Sequence, residues 1–141
     1  MTAELWLKKY YPIDAKKAAD RGLVAAVEHG QLKYSGCTKE ALKEHGLVYA
    51  YDLCPVLRTI GDPYVTVMTF GRLTCALCIL CSAIHRVDLD VKACPGCPLF
   101  EIGAGCLKQG SPYEKFLLKG DPTKILKAFE KALTWAREHY E

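Results

Sequence analysis

Two closely spaced pairs of cysteines constrain this chain more than any other feature of its sequence. Cys75 and Cys78 are separated by two residues, as are Cys94 and Cys97, and fifteen residues lie between the pairs. This spacing is typical of a zinc site with four thiolates, because two thiolates spaced in this way can bind one tetrahedral ion from a single tight turn. A four-thiolate shell leaves no open position for a substrate. The pattern therefore predicts a structural zinc ion that stabilises the fold.

The remaining cysteines leave the choice of ligands open. Cys106 lies in a glycine-rich loop segment, which suits a ligand, whereas Cys81 lies in an apolar run where a cysteine packs as a small hydrophobic side chain. His85 is an alternative nitrogen ligand. Cys37 and Cys54 are isolated, and we expect them to be buried or partly buried thiols. The candidate metal ligands are thus Cys75, Cys78, Cys94, Cys97 and Cys106.

Three other interpretations of the cysteines stay open. The run Cys75-x2-Cys78-x2-Cys81, followed later by a cysteine before proline, is typical of bacterial ferredoxins and indicates an iron–sulfur cluster. In the second interpretation, Cys94-Pro-Gly-Cys97 is a redox dithiol, although the strand and helix that flank such a motif in thioredoxin-like units are not indicated here. In the third, the cysteines are packed thiols and bind no cofactor.

The composition places the chain among globular proteins. Of its 141 residues, 50% are hydrophobic and 25% are charged, which excludes a disordered chain or a fibrous repeat. A chain of this length hides about two-thirds of its unfolded surface and builds a core without disulfides. We expect a single domain over 1–141, with an N-terminal α+β part over about 1–72 and a metal-organised part with the C-terminal helices over about 73–141.

No segment of the sequence indicates a membrane or an export signal. The longest apolar stretch, Leu73–Ile84, is broken by Thr74 and Ser82 and is shorter than the ~20 residues that span a bilayer. Residues 1–9 show no basic leader followed by an apolar segment. We therefore expect a cytoplasmic protein with no membrane partner. Because the cytoplasm keeps thiols reduced, this location favours metal ligands over disulfides.

Capping residues and periodicity predict an α+β fold. It consists of a small antiparallel sheet with N-terminal helices, a cysteine-rich metal-stabilised loop region and a C-terminal amphipathic helix. Asp14 caps a first helix over 12–30 that Gly30 ends, and Thr38 caps a second helix over 38–45. Runs of β-branched and aromatic residues predict three strands, over 47–52, 56–60 and 64–70.

The C-terminal part carries the clearest helical signals. Ser111 and Glu114 form a capping box around Pro112, which predicts a helix to about Leu118. Asp121 caps a last helix over 122–139, whose apolar residues recur at three- and four-residue intervals. These apolar residues are Ile125, Leu126, Phe129, Ala132, Leu133, Ala136 and Tyr140.

The sequence contains no recognisable catalytic motif, so an enzyme is not indicated. It has no G-x-S-x-G, phosphate-binding loop, dinucleotide fingerprint or H-E-x-x-H. Six lysines between residues 108 and 131 leave a local charge of +3 that could contact nucleic-acid phosphate, but a solvated helix face is the more ordinary interpretation. Four thiolates and Zn²⁺ add −2 to the formal +3, which weakens the case for nucleic acid further. The six lysines are Lys108, Lys115, Lys119, Lys124, Lys127 and Lys131.

The order of motifs over roughly residues 30–135 resembles that of small uncharacterised, cysteine-rich proteins of bacteria and phages. The resemblance implies zinc binding and a phage or prophage accessory role, with ligands at Cys75, Cys78, Cys94 or Cys97, and Cys106. We expect a small intracellular zinc-stabilised binding or regulatory module that acts by contact with a protein partner. The alternatives are a nucleic-acid-binding zinc protein and an iron–sulfur or dithiol redox protein. The motifs that carry the resemblance are Gln31–Gly36, Ala41–Gly46, Cys75–Cys78, Cys94–Leu99, Gly105-Cys106 and Ser111–Tyr113.

Overall fold

A computed structural model describes residues 2–52, 54–70, 74–77, 79–80, 98–103 and 110–140. These residues combine helices with a small antiparallel three-stranded sheet, which is the α+β architecture predicted. No helix of this part of the chain is both long and apolar enough to cross a bilayer. The elements are α1 (Thr2–Tyr10), α2 (Ala15–Asp20), α3 (Leu23–Ser35), α4 (Lys39–His45), β1 (Leu47–Asp52), β2 (Cys54–Thr59), β3 (Asp62–Thr69), α5 (Pro98–Glu101), α6 (Pro112–Lys119) and α7 (Thr123–Tyr140).

The prediction of a single helix over 12–30 is wrong, because this range contains α2 and the first part of α3. Gly22 separates them with a φ of 106°, a backbone conformation that glycine adopts without steric cost. Gly30 does not end the second helix, which continues to Ser35. A Cβ at position 30 would collide with the Phe129 ring, 2.7 Å from its Cζ atom. This glycine therefore permits the close approach of α3 and α7.

Helix α1 was not anticipated from the sequence, and tertiary contacts hold it. Its Trp6 is fully buried, and the Trp6 Nε1–H donates a hydrogen bond of 2.9 Å to the Gly36 carbonyl. The Trp6 ring also packs 5.6 Å, centroid to centroid, from Tyr10. A helix of nine residues is too short to be stable alone, so its stability comes from tertiary contacts such as the hydrogen bond from Trp6 to Gly36.

Local capping was predicted well. Asp14 Oδ1 accepts from the Lys17 N–H at 2.9 Å, and Thr38 Oγ1 accepts from the Ala41 N–H at 3.2 Å. Gly46 ends α4 in the left-handed conformation, with a φ of 64°. These three positions confirm the start of the first predicted helix region and both ends of the second.

The capping box before α6 is shifted by one residue from its usual form. Ser111 Oγ accepts from the Glu114 N–H at 3.1 Å, as predicted. The Glu114 carboxylate instead accepts from the Gly110 N–H, at 3.2 Å, and thus satisfies the backbone donor just before the cap residue. Asp121 Oδ1 accepts from both the N–H and the hydroxyl of Thr123, at 3.0 and 2.7 Å, at the start of α7.

The three strands form an antiparallel meander in the order β1-β2-β3. Tyr49 pairs with Leu57, and Leu57 pairs with Met68 on the other side of β2. Both β2 and β3 begin two residues earlier than predicted and end one residue earlier. The reason is that the chain turns at Ile60 and Gly61, directly after β2, and re-enters the sheet at Asp62. The meander places Leu57 and Met68 in the core.

The core is centred on aromatic side chains contributed by helices and sheet alike. Phe116 of α6 lies 4.9 Å from Tyr34 of α3, 5.0 Å from Phe70 after β3 and 5.2 Å from Tyr49 of β1, measured between ring centroids. Phe129 of α7 lies 5.5 Å from Tyr34. This aromatic cluster joins α3, α6 and α7 to the sheet. Helix α7 adds further buried side chains at three- and four-residue intervals, namely Ile125, Ala128, Ala132 and Ala136.

Candidate metal centre and the buried polar cluster beside it

Of the five predicted metal ligands, Cys75 lies among the residues that the structure describes. The other four, Cys78, Cys94, Cys97 and Cys106, lie outside the described residues, as do Cys81 and His85. Within the described ranges, no three His, Cys, Asp or Glu side chains lie close enough together to hold a metal ion. The zinc ion and its ligand set therefore stay predictions, and the surroundings of Cys75 provide the geometry that bears on them.

Cys75 lies at the start of a helical turn that is packed against the core. The Ile79 N–H donates to the Cys75 carbonyl at 3.1 Å, which closes the turn. Ala76 and Leu77, the next two residues, are buried at 0% and 1% exposure, while Cys75 itself is partly buried. The core thus fixes the position where the first cysteine pair begins.

A buried lysine is bonded to the residue just before Cys75. Lys33 of α3 is only 1% exposed, and its Nζ donates to the Thr74 carbonyl at 2.9 Å and to the Thr74 hydroxyl at 3.3 Å. The Thr74 hydroxyl in turn donates to the Thr69 carbonyl at 2.8 Å. The ammonium also lies 5.1 Å from the centre of the Phe70 ring, within cation–π range. The Lys33 amino group is therefore held next to the residue at which the first cysteine pair begins.

His29 lies one helical turn before Lys33, on the same side of α3. It is 7% exposed, and its Nε2 lies 2.8 Å from the Ile13 carbonyl. A carbonyl oxygen can only accept, so Nε2 carries the proton and donates. The other ring nitrogen, Nδ1, is buried and has no hydrogen-bond partner within the described structure. Burial lowers the pKa of His29 against the raising effect of the Ile13 hydrogen bond, and the nearby Lys33 charge lowers it further, which favours the neutral ring.

Tyr11 packs against His29. Its ring packs edge-on against the imidazole, with ring centroids 4.8 Å apart, and its hydroxyl accepts from the Ala15 N–H at 3.1 Å. Burial raises the pKa of Tyr11, and the negative charges of Asp14 and Cys75 raise it further against the lowering effect of the Ala15 hydrogen bond. We refer to Tyr11, His29, Lys33, Thr74 and Cys75 as the α3 polar cluster.

Sequence analysis did not single out His29 or Lys33, although their spacing offered a signal. Both lie on the buried stripe of α3 that also carries Ala26, Gly30 and Tyr34. Two ionisable residues four apart on an otherwise apolar helix face are expensive to bury without partners, so such a pattern indicates a polar site. What the sequence could not show is that the partners of these side chains lie in other segments of the chain.

Of the two isolated cysteines, Cys37 lies in the core and Cys54 lies at the start of a strand. Cys37 is buried at 2% exposure, as predicted, and its Sγ donates to the Lys33 carbonyl at 3.8 Å. Burial raises the pKa of the Cys37 thiol to about 12, and the Lys33 charge lowers it only in part. The backbone of Cys54 begins β2. Cys37 is thus a packed, protonated thiol and not a candidate ligand.

The lysine-rich part of the chain forms a polar corner at the junction of α6 and α7. Lys115, Lys119 and Lys124 line a cavity of about 370 Å³ together with Asp121. The closeness and like charge of the neighbouring Lys115 side chain lower the pKa of Lys124. The remaining described lysines of the predicted basic set, Lys127 and Lys131, are exposed on α7, and Lys108 lies outside the described residues.

Comparison with known proteins found no matching family model, no matching curated protein and no matching solved structure. The resemblance to cysteine-rich phage and bacterial proteins accordingly stays an expectation based on the order of motifs.

Proposed function

We propose that this protein is a small zinc-stabilised binding module, in which one zinc ion is bound by four of the cysteines Cys75, Cys78, Cys94, Cys97 and Cys106. The cysteine spacing supports the identity of the ion, because two C-x2-C pairs are typical of structural zinc. The resemblance to phage and prophage proteins supports an accessory or regulatory role. The module acts by contact with a protein partner.

The observation that carries the proposal is the buried ammonium of Lys33 beside Cys75. A charge buried this deeply is costly in apolar surroundings unless hydrogen bonds and opposite charges surround it. Thr74 supplies hydrogen bonds, at 2.9 and 3.3 Å. Zn²⁺ with four thiolates carries a net charge of −2, so a metal site that begins at Cys75 would be stabilised by a positive charge next to it.

The small net charge of the chain supports a protein partner over nucleic acid. The formal charge is +3 without metal, and a four-thiolate zinc site brings it to +1. Large apolar side chains are exposed on several elements, including Leu5 at 55%, Tyr51 at 62% and Leu118 at 75%. Such side chains contribute binding energy at protein interfaces, whereas phosphate contacts need lysine and arginine.

Metal analysis of anaerobically purified protein tests the proposal. We expect one zinc per chain and a lower melting temperature after chelation, because the binding free energy of a structural ion is part of the folding free energy. Cys75→Ser should lose the zinc. Cys37→Ser is the matched control and should retain it, since Cys37 is buried away from solvent with a hydrogen bond to Lys33. Protein that contains no metal and melts at the same temperature with or without chelator would contradict the proposal.

The contact with a protein partner needs its own experiment. Tagged, zinc-loaded protein is incubated with extract of the host cell, and the captured material is analysed for protein and for nucleic acid. We expect a stoichiometric protein partner. Recovery of nucleic acid without protein would overturn this part of the proposal while leaving the zinc site intact.

A nucleic-acid-binding zinc protein is the second candidate function, favoured by the three lysines that line the cavity at the α6–α7 corner. It predicts binding to single-stranded DNA that weakens steeply as salt rises, because counterions are released on binding. Lys115→Gln with Lys124→Gln should then reduce the salt dependence, whereas the exposed pair Lys127→Gln with Lys131→Gln serves as the control of equal charge. Binding that is absent at low salt removes this candidate.

The iron–sulfur and dithiol alternatives are separated by colour and thiol chemistry. A cluster makes the anaerobic protein brown, and a working dithiol contains a cysteine whose pKa lies well below its ordinary value. Colourless protein with zinc and unreactive thiols removes both alternatives.

A further inference from the structure

We infer that a groove between α4, β1 and the turn from α6 to α7 binds an acidic segment of a protein partner, and that this segment also carries apolar side chains. The inference rests on the proposed contact with a protein partner, and it names the binding surface and the chemistry of the segment that fills it. We refer to this surface as the α4–β1 groove. All the residues that line it belong to the described part of the chain.

Apolar side chains form one part of the groove, which has a volume of about 520 Å³. Leu42 of α4, Val48 of β1 and Leu126 of α7 all line it. Leu42 and Leu126 are half-buried and pack against the core, whereas Val48 is 45% exposed. Apolar side chains of a ligand would lose contact with water in such a concave site, and this burial favours binding.

The wall of the groove is fixed by contacts between β1 and the turn from α6 to α7. The Tyr49 hydroxyl donates to the Leu117 carbonyl at 2.6 Å. The Tyr49 ring also lies against Gly120, where an added Cβ would be 2.7 Å from the Tyr49 Cγ atom. Gly120 has a φ of 71°, the left-handed conformation that glycine adopts at the end of a helix. The groove is therefore formed before a ligand binds, which lowers the entropic cost of binding.

Lysines surround the groove and the cavity that adjoins it. Lys39 and Lys119 line the groove, while Lys115, Lys119 and Lys124 line the cavity of about 370 Å³, so Lys119 lies at the junction of the two. All four side chains are exposed. Within the described part of the chain, none of these ammonium groups forms an ion pair with a carboxylate. They are therefore available to an acidic ligand.

The carboxylates that line the same two cavities do not balance these lysines. They are Glu40 and Asp121, so four lysines against two carboxylates leave a net charge of +2. The Asp121 carboxylate is already engaged, because its Oδ1 accepts from both the N–H and the hydroxyl of Thr123. A ligand with several carboxylates would supply the complementary charge, which gives a binding surface its specificity and speeds association.

The apolar lining favours an acidic peptide over nucleic acid. Single-stranded nucleic acid binds where aromatic rings are exposed for stacking with bases. The aromatic side chain of the groove is Tyr49, which is half-buried and packs 5.2 Å from Phe116, centroid to centroid. In the adjoining cavity, Leu118 is 75% exposed and offers a second aliphatic contact. Aliphatic side chains beside lysines match a segment in which Asp or Glu alternates with apolar residues.

The test uses the wild-type, full-length protein and a synthetic peptide in which Glu and Leu alternate. In an extended peptide, alternate side chains lie on opposite faces, so the leucines can enter the groove while the carboxylates stay near the lysines. The ¹⁵N-labelled protein is titrated with this peptide at low salt. We expect saturable shifts of the backbone amide resonances of Val48, Lys119 and Leu126. Absence of saturable binding, or shifts confined to other surfaces, overturns the inference.

Two comparison ligands separate apolar contact from simple charge attraction. A peptide of equal length in which Glu and Ser alternate should bind at least ~10-fold more weakly, because it carries the charge without the apolar side chains. Oligodeoxythymidylate of equal charge should be weaker to a similar extent. If the Glu–Ser peptide or the DNA binds as tightly as the Glu–Leu peptide, the inference is overturned, in the second case in favour of nucleic acid.

Charge reversal of the groove provides a second measurement. We expect Lys39→Glu with Lys119→Glu to weaken binding of the Glu–Leu peptide at least ~10-fold, because attraction at the groove becomes repulsion. The matched control is Lys16→Glu with Lys17→Glu, since these lysines are exposed on α2 and line neither cavity. The control changes the net charge equally and should alter affinity by less than ~2-fold. Equal losses for the two variants would contradict a specific site.

Capture from host extract with the same two variants distinguishes this inference from the proposed function. We expect the groove variant to lose the captured protein and the α2 variant to retain it. A protein that both variants capture equally overturns the inference and leaves the proposed protein contact standing. Nucleic acid recovered without protein overturns the proposed contact itself. The wild-type titration decides on the groove even if the groove variant does not fold.

Discussion

At the scale of single residues, Cys37 and Cys75 show two different environments for a thiol in one small protein. Cys37 is 2% exposed and donates to a helix carbonyl, whereas Cys75 is partly buried at the entrance of the cysteine-rich segment. A thiolate must form before a cysteine can bind a metal or react. The environment of Cys37 opposes this step, so its protonation is a sensitive measure of how well the core excludes water.

We therefore expect Cys37 to resist iodoacetamide at pH 8 in the folded protein and to react after unfolding. Burial raises its pKa from 9.0 to about 12, so the folded state holds the proton more tightly than the unfolded state. This stabilisation is complete below about pH 9 and is lost as pH rises toward about 12. Mass spectrometry of alkylated peptides, with and without urea, measures the protection, and Cys37→Ala should flatten the alkaline loss of stability. Modification at the same rate in both states would contradict the burial.

At the scale of elements, the crossing of α3 and α7 depends on one missing side chain. Gly30 lies in the middle of α3, where glycine is normally the less stable choice by about 1 kcal/mol relative to alanine. It is present because the Phe129 ring occupies the space where a Cβ would lie. The packing of two helices thus outweighs local helix propensity at this position.

Gly30→Ala should destabilise the protein by about 1–2 kcal/mol, because the cost of overpacking exceeds the gain in helix propensity. Urea unfolding followed by circular dichroism measures the change. Glu28→Ala, at an exposed position of the same helix, is the control and should alter stability by less than about 0.5 kcal/mol. A Gly30→Ala variant more stable than wild type would show that α3 and α7 do not approach as described.

At the scale of the whole molecule, Phe116 packs against aromatic rings from three other segments of the chain. It is fully buried, and its ring contacts Tyr34, Phe70 and Tyr49, which belong to α3, the segment after β3, and β1. Tyr49 adds a hydrogen bond of 2.6 Å from its hydroxyl to the Leu117 carbonyl of α6. Sheet and helices therefore pack against each other through this aromatic cluster, and the stability of the fold depends on its packing.

Phe116→Ala should cost about 3–5 kcal/mol, a large part of the 5–15 kcal/mol by which a domain is normally stable. We expect a lower urea midpoint, or no cooperative transition at all, and a milder effect for Phe116→Leu. Leu118→Ala in the same helix is the control, because Leu118 is 75% exposed and its truncation removes little packing. Equal midpoints for the Phe116 and Leu118 variants would be incompatible with the aromatic cluster.

The sequence by itself determined the features whose hydrogen bonds lie within a few residues. Thr38 and Ser111 each accept from the N–H three residues later, and Gly46 adopts the left-handed conformation that closes α4. The antiparallel meander is equally local, since its strands are joined by short turns. Side-chain oxygen, Cβ sterics and turn length fix such features before any tertiary contact forms, so they could be predicted.

The tertiary structure alone decided where polar groups enter the core. Lys33 meets Thr74 41 residues away, and His29 meets Ile13 at a separation of 16. Gly30 lies within α3, where the absence of a Cβ leaves room for the Phe129 ring of α7. Helix α1 is stabilised by the hydrogen bond from Trp6 to the Gly36 carbonyl. These contacts form only when segments that are far apart in the sequence pack against each other. For the same reason, cysteine spacing predicted a metal site but could not indicate the buried lysine of α3 that bonds to Thr74, the residue before Cys75.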